Sequence, residues 1–385
     1  MKAGPVKRRK RGVLGAFFCR HPGLHCYLLC QLMWLLAIYL LRGRRDWMNA
    51  LAGRVITPLR RALGTLSCRT EVSVMEILYV AAAMAALVYV LWNLIAVLRA
   101  KGRRLDRLYS GLLGIACCLL ALYVLFWFLW GIYFWTDNFQ DRSGVHARPV
   151  AAEELKSVTA YFADRLTETA DTVPRDAQGR FSESWRDIVA RAPSVYRGAE
   201  ELYPFLTFPD RGVKAMRFSR LMSRMDFTGF YCAYTGESNV NVDSPACLLP
   251  STIAHELGHQ RGFASEQECN FLAVLASTES GDPVYVYSGW LLGYIYLGNA
   301  LYQADPDAYW AIRESLPEVV QADLAANNDY WAQFRRSVVK TVSNKVYDGL
   351  LKAYGEERGI QSYGTVVDML VVYYGQEAGG VSPAA

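Results

Sequence analysis

The sequence predicts a mainly α protein, with three N-terminal transmembrane helices followed by an α-rich domain that carries a small β element just ahead of a metal-binding helix. Three observations predict it. Long uncharged stretches concentrate in the first 135 residues. The charge changes sign at the same place: residues 1–135 carry 19 Lys and Arg against 4 Asp and Glu, and residues 136–385 carry 22 against 32, which leaves the whole chain at +5. Within the acidic part lies His255-Glu256-Leu257-Gly258-His259, followed by Glu266, in a chain with 5 histidines. The pI near 8.6 describes neither part, so nucleic acid is not an expected partner.

The membrane region comes first in chain order. Residues 1–23 form a basic segment, and residues 24–135 hold three apolar runs. Leu24 to Leu41 is uncharged, slightly short of the ~20 residues a span needs. A buried core helix is its alternative. Arg42-Gly43-Arg44-Arg45 follows where a cleaved leader would need small residues, which argues against a signal peptide. Val74 to Leu98 is apolar apart from Glu76 and Asn93, and Gly111 to Trp135 has no charge at all. Trp127, Trp130, Tyr133 and Trp135 crowd the end of the third run, as an interfacial aromatic belt would. Seven basic residues precede the first span and five lie between Arg99 and Arg107. Both groups belong on the cytoplasmic side. The loop from Arg42 to Ser73 then lies outside despite its seven arginines, and so does the acidic domain, residues 136–385.

That domain opens after a linker, Asp137–Pro149, with an amphipathic helix over Glu153–Thr167. A polar, loop-rich stretch runs to about Asp210, and Lys214–Met225 reads as helical. Phe230-Tyr231-Cys232-Ala233-Tyr234, between Gly229 and Gly236, reads as a strand. It either borders a substrate cleft or is an ordinary buried strand. Residues 284–302 are again uncharged, but with Ser288, Gly289, Gly293, Gly298 and Asn299 inside them they read as a buried helix under the metal helix, with a fourth span as the alternative. Further helices are expected over Asp305–Ser315, Leu316–Val342 and Tyr363–Tyr374. Of 9 cysteines, Cys232, Cys247 and Cys269 fall in this domain. A Cys232–Cys247 bridge is possible, but no spacing pattern makes a disulfide framework.

The motif carries the chemistry. Positions i and i+4 stack on one helix face, so His255 and His259 can grip one ion, and Glu256 sits ~100° away, beside that ion without occupying a ligand place. Pro250-Ser251 marks the start of the helix and Gly262 its end. Ser265 to Glu268 fits a capping box that opens a second helix, and a short turn folds that helix back beside His259. Glu266 or Glu268 then supplies a third ligand. Glu266 is favoured because Asn270 follows on the same face, whereas Glu268 has an alternative role as a cap. Zn2+ held by two His and one Glu, with a fourth position open, is a hydrolytic rather than a structural arrangement.

Several stretches resemble a family of bacterial membrane-anchored proteins, the domain of unknown function 3810. They are Trp130-Gly131-Ile132, Thr228 to Tyr231, Tyr234 to Asn239, His255 to Ala264, Glu266 to Phe271, Tyr287-Ser288-Gly289, Ser362-Tyr363-Gly364 and Val367-Asp368. The likeness runs from about residue 110 to Tyr374. The helix pair is similar to the gluzincin metallopeptidases, which implies a zincin-like domain with His255 and His259 as paired ligands, Glu256 as general base and Glu266 as the acid. The seven residues from His259 to Glu266 are fewer than most gluzincins have, which leaves Glu268 open. Ser265 stands where metzincins carry a third His.

The expected function is therefore a zinc-dependent metallopeptidase of the bacterial cell membrane, multi-pass, with its C-terminal domain extracytoplasmic. Its partners would be the lipid bilayer and a peptide or protein substrate. The alternatives are a non-cleaving sensor or scaffold that keeps a zinc site, and a hydrolase of a non-peptide envelope amide. Tyr234, Tyr287 and Arg261 are oxyanion donors by residue type only.

Overall fold

The computed structural model describes residues 19–209, 211–335, 340–341, 344–345 and 363–379. The chain divides into two compact units: 1–44 with 77–129, and 45–76 with 130–385.

The first unit is built from α1 (Pro22–Leu41), α4 (Val74–Arg99) from Ile77 onward and α5 (Arg104–Leu129). All three are long and apolar enough to cross a membrane. The first begins two residues before the expected point because Pro22 suits a first helical position. Two polar side chains inside the unit donate to backbone carbonyls: the Gln31 amide to Cys117 at 3.3 Å, and Tyr89 to Gly111 at 3.2 Å. Asp106 near the start of α5 meets Arg20 at 3.2 Å and Arg103 at 3.3 Å.

The third apolar helix differs from the run read in the sequence. It spans Arg104–Leu129 rather than 111–135, and the chain breaks at Trp130, where φ is −135°. Gly131–Trp135 is a 3-10 turn whose Ile132 and Tyr133 are buried. Trp130 and Tyr133 are thus core side chains of the second unit rather than a lipid-facing belt. Hydropathy cannot separate the two, because lipid and protein core are equally apolar solvents.

The segment 42–73, read as a loop, is also folded. From Arg45 it forms α2 (Arg45–Leu51), a π-helical turn (Ala52–Ile56) and α3 (Thr57–Ser67), all in the second unit. The domain therefore has two chain segments, and its boundary lies at Trp130 instead of 136.

The rest of the second unit runs α6 (Phe139–Ser143), α7 (Ala152–Thr169), α8 (Trp185–Arg191), α9 (Arg197–Leu202), β1 (Val213–Ala215), α10 (Ser219–Met225), β2 (Gly229–Cys232), β3 (Glu237–Val240), α11 (Leu249–Gln260), α12 (Glu266–Thr278), α13 (Pro283–Ala304), α14 (Pro306–Ser315), α15 (Glu318–Ala332) and α16 (Tyr363–Tyr374). Leu316–Val342 was expected as one helix; its described part ends at Ala332, and part of the remainder lies outside the described residues. Residues 284–302 lie in α13, which threads the core with Tyr285, Tyr287, Leu291 and Leu297 fully buried, so the buried-helix reading holds. Asp282 caps it by accepting from the N–H groups of Val284 and Tyr285.

The strands form one sheet in the order β1-β3-β2, with β1 parallel and β2 antiparallel to β3. Lys214, expected in a helix, lies in β1 because its ammonium meets Glu237 of β3 at 2.8 Å, where both are buried. Glu237 also accepts from Ser73 and from the N–H of Met75. Cys232, Cys247 and Cys269 are buried free thiols, so no Cys232–Cys247 bridge forms.

Candidate metal centre

The site grows from the end of α11. Its last turn closes on Gly262, whose φ of +96° lets the chain reverse, with the N–H of Gly262 donating to the carbonyl of His259 at 3.0 Å. A β-carbon there would come within 2.7 Å of the Tyr133 ring and carry positive-φ strain besides. Four residues later α12 starts and brings Glu266 back to the two histidines.

His255 Nε2 lies 3.1 Å from His259 Nε2, and one Glu266 oxygen faces each ring, at 3.2 Å from His255 and 3.6 Å from His259. Two donors ~2.0–2.1 Å from a tetrahedral zinc stand about 3.3–3.4 Å apart, a value these three separations bracket. The tautomers agree. His259 Nδ1 lies 2.8 Å from the carbonyl of Phe263, which can only accept, so Nδ1 carries a proton in either charge state and Nε2 is the nitrogen that faces the cluster.

Electrostatics favour a cation among these donors. Burial would push His259 down, but Cys269 and Glu266 outweigh it and hold the ring well above its ordinary range. Burial would likewise raise Glu266, yet His259 and His255 keep it well below the usual carboxylate range. A metal ion entering here would displace that proton, since histidine ligates through a deprotonated nitrogen. The side chains of His255 and Glu266 are 15% and 26% exposed, so the cluster can be reached from solvent.

Glu256 sits beside the cluster and is buried. Burial pushes its carboxyl up to about 7, the two histidines pulling it back and Glu266 adding to the rise. Its Oε2 has no hydrogen-bond partner among the described residues. Gly229, the first residue of β2, makes room for it: a β-carbon there would lie 2.7 Å from Cδ and Cγ of Glu256. A buried acceptor without a partner, next to three converging donors, fits a group that handles protons at a metal.

The other expected participants are placed as follows. Glu268 accepts from the N–H of Phe139 at 2.9 Å and of Gln140 at 3.3 Å, so it binds the start of α6 and is not in the three-donor cluster. The capping box does not form, since Ser265 makes no side-chain capping bond. The Asn270 side chain makes no hydrogen bond among the described residues; the contacts behind His259 come instead from Phe263 and from Cys269, whose Sγ lies 3.2 Å from Nδ1. Tyr287 is committed to Asp323 at 2.6 Å. Arg261 is committed to Glu200 at 2.8 Å and to the carbonyls of Leu206 and Leu257. Tyr234 packs with the Met75–Met216–Met222–Cys232 cluster.

Arg60 of α3 was missed. It is 3% exposed and donates through Nη2 to the carbonyl of His259 at 2.8 Å and through Nε to Tyr231 at 2.8 Å. The rings of Trp130, Tyr133 and Tyr231 surround its guanidinium at 4.6 to 4.8 Å. Trp130 also stands edge-on to His259 at 5.5 Å. Arg60 therefore binds a carbonyl at the C-terminal end of the motif helix, where a cation is favoured. No sequence signal separates it from the six other arginines between Arg42 and Arg69.

No curated protein and no solved structure matches the chain. One family does, over residues 54–371, a range that takes in Arg60, all of β1 to β3 and the whole three-donor cluster: the chain belongs to the family described as "Protein of unknown function (DUF3810)".

Proposed function

We propose that this protein is a membrane-anchored zinc metallopeptidase that hydrolyses an extended peptide at the surface of the membrane. The observation that carries the reading is the convergence of His255, His259 and Glu266 at 3.1 to 3.6 Å beside the unpartnered Glu256 Oε2.

His255, His259 and Glu266 would hold the ion. When bound, zinc supplies Lewis acidity to a substrate carbonyl and to a water. Glu256 Oε2 takes the proton of the attacking water and later returns it to the leaving amine nitrogen, a role suited to a carboxyl that burial has raised towards neutrality. Phe263 and Cys269 hold the His259 ring in its orientation. Substrate has a natural place: β2 is an edge strand of the sheet, it starts against Glu256 at Gly229, and an extended peptide can add to its outer side by main-chain hydrogen bonds.

The extracytoplasmic location has physical support. With three crossings, the segment between α1 and α4 and the segment after α5 share one side, and these are the two segments that fold as the second unit. The arginines that made 42–73 an awkward outer loop belong in part to that fold: Arg60 is buried, and Arg45 pairs with Asp141 at 3.1 Å. The basic N-terminus and the 99–107 loop then stay together on the cytoplasmic side.

The test is metal content and peptide hydrolysis by the purified full chain, wild type beside Glu256→Gln. Bound zinc with activity lost in the variant supports the reading. Bound zinc with no difference on any peptide or protein favours a scaffold, and an envelope glycan or lipid amide that accumulates only in Glu256→Gln cells favours a non-peptide amidase.

A further inference from the structure

The second unit carries a short amphipathic surface at α10. Its inner face, Ser219, Met222 and Ser223, is buried. Its outer face joins Phe218 at 50% and Leu221 at 47% exposure with the exposed arginines Arg217, Arg220 and Arg224. Large apolar side chains held in water inside a ring of basic residues form the composition of an element that lies in a membrane interface.

A second observation says what covers this face. The Glu76 carboxylate accepts from the N–H of Phe218 at 2.8 Å and of Arg217 at 3.1 Å, which ties the start of α10 to the first turn of α4. Met75 packs with Met216 and Met222 beneath it. The next residues of α4, Ile77, Leu78, Tyr79 and Val80, are apolar and 47 to 55% exposed, as the opening of a membrane-crossing helix should be. Glu76 is thus at once the anchor of α10 and the last charged side chain before the apolar run. The apolar part of α4 follows Glu76 directly in the chain.

We propose that α10 is an interfacial membrane contact: Phe218 and Leu221 enter the boundary between headgroups and acyl chains, and Arg217, Arg220 and Arg224 lie against anionic lipid phosphates. Arg220 shares its charge with Asp243 at 3.0 Å, so the exposed Arg217 carries more of the lipid preference than Arg220 does. The surface does not depend on the metal centre being catalytic.

The test uses the full chain in nanodiscs of phosphatidylethanolamine and phosphatidylglycerol, with photoreactive benzoylphenylalanine placed singly at Phe218, Leu221, Leu87, Tyr302 or Trp310. All five positions are well exposed, so the fold tolerates the probe; Leu87 lies inside α4, and Tyr302 and Trp310 are exposed aromatic positions on α13 and α14. Lipid adducts by mass at 218, 221 and 87, but not at 302 and 310, are expected. Replacing phosphatidylglycerol by phosphatidylcholine should lower the yield at 218 by about twofold or more and leave 87 unchanged. Lipid adducts at 87 alone overturn the proposal, whether 218 is quenched by water or captures a protein. Equal yields at 218, 302 and 310 overturn it as well.

Discussion

Replacing Arg60 by Met would remove one guanidinium from the interior of the second unit while keeping much of its volume. The Tyr231 hydroxyl would then lose its donor and the carbonyl of His259 would keep the N–H of Gly262, Arg60 standing 2.8 Å from each. Three rings at 4.6 to 4.8 Å would lose their cation. A hydrogen bond to a charged group contributes ~1.5–3 kcal/mol, and a desolvated cation over an aromatic face up to ~2 kcal/mol. These terms overlap, and the Met side chain recovers part of the burial, so the expected loss is about 3–5 kcal/mol. For a unit of this size that lowers the melting temperature by on the order of 10 °C. The assay is thermal unfolding of the detergent-purified full chain, with Arg54→Met as the control because Arg54 lies in the same segment and is exposed. Zinc titration of the folded variant should show affinity lower by about 10-fold or more, since the last turn that carries His259 is no longer held. A melting temperature within about 2 °C of wild type would refute the argument that this buried arginine supports the end of α11.

Three further outcomes are expected. Glu256→Gln should retain metal and lose about 10²–10⁴-fold in peptide hydrolysis, whereas His259→Ala and Glu266→Ala should lose the metal; mass spectrometry of the native protein and a peptide assay separate the two cases. Gly229→Ala should keep its metal and lose about 100-fold in activity, because its β-carbon would lie 2.7 Å from Glu256 Cδ and force the carboxyl to move by roughly 1 Å; unaltered activity would mean that the position of Glu256 does not matter. Denatured, unreduced protein should alkylate at all 9 cysteines, and a count of seven with Cys232 and Cys247 as the two unlabelled positions would mean that they are bridged.

Much of the centre was legible because it is local. His255, Glu256 and His259 occupy one helix, and Gly262 supplies a short reversal, so helical geometry and one turn bring Glu266 into reach. The choice between Glu266 and Glu268 was not local. Glu268 is withdrawn by the backbone of Phe139 and Gln140, which lie over a hundred residues earlier in the chain. Arg60, Trp130 and Tyr133 were illegible for the same reason: each reads in sequence as a membrane-flanking residue.

The sequence by itself determined what depends on neighbours along the chain: three apolar helices, a basic side and an acidic side, a two-histidine helix and its reversal. Hydropathy and helical periodicity are short-range properties, and the residues that set them are contiguous. Tertiary structure decided where the apolar runs stop and which arginines count as charges in water. The third run ends at Leu129 because the residues after it find a protein core, a solvent that hydropathy cannot tell from lipid. The segment between the first two spans became part of the domain because a buried guanidinium is stable only where carbonyls and aromatic faces from distant elements meet around it.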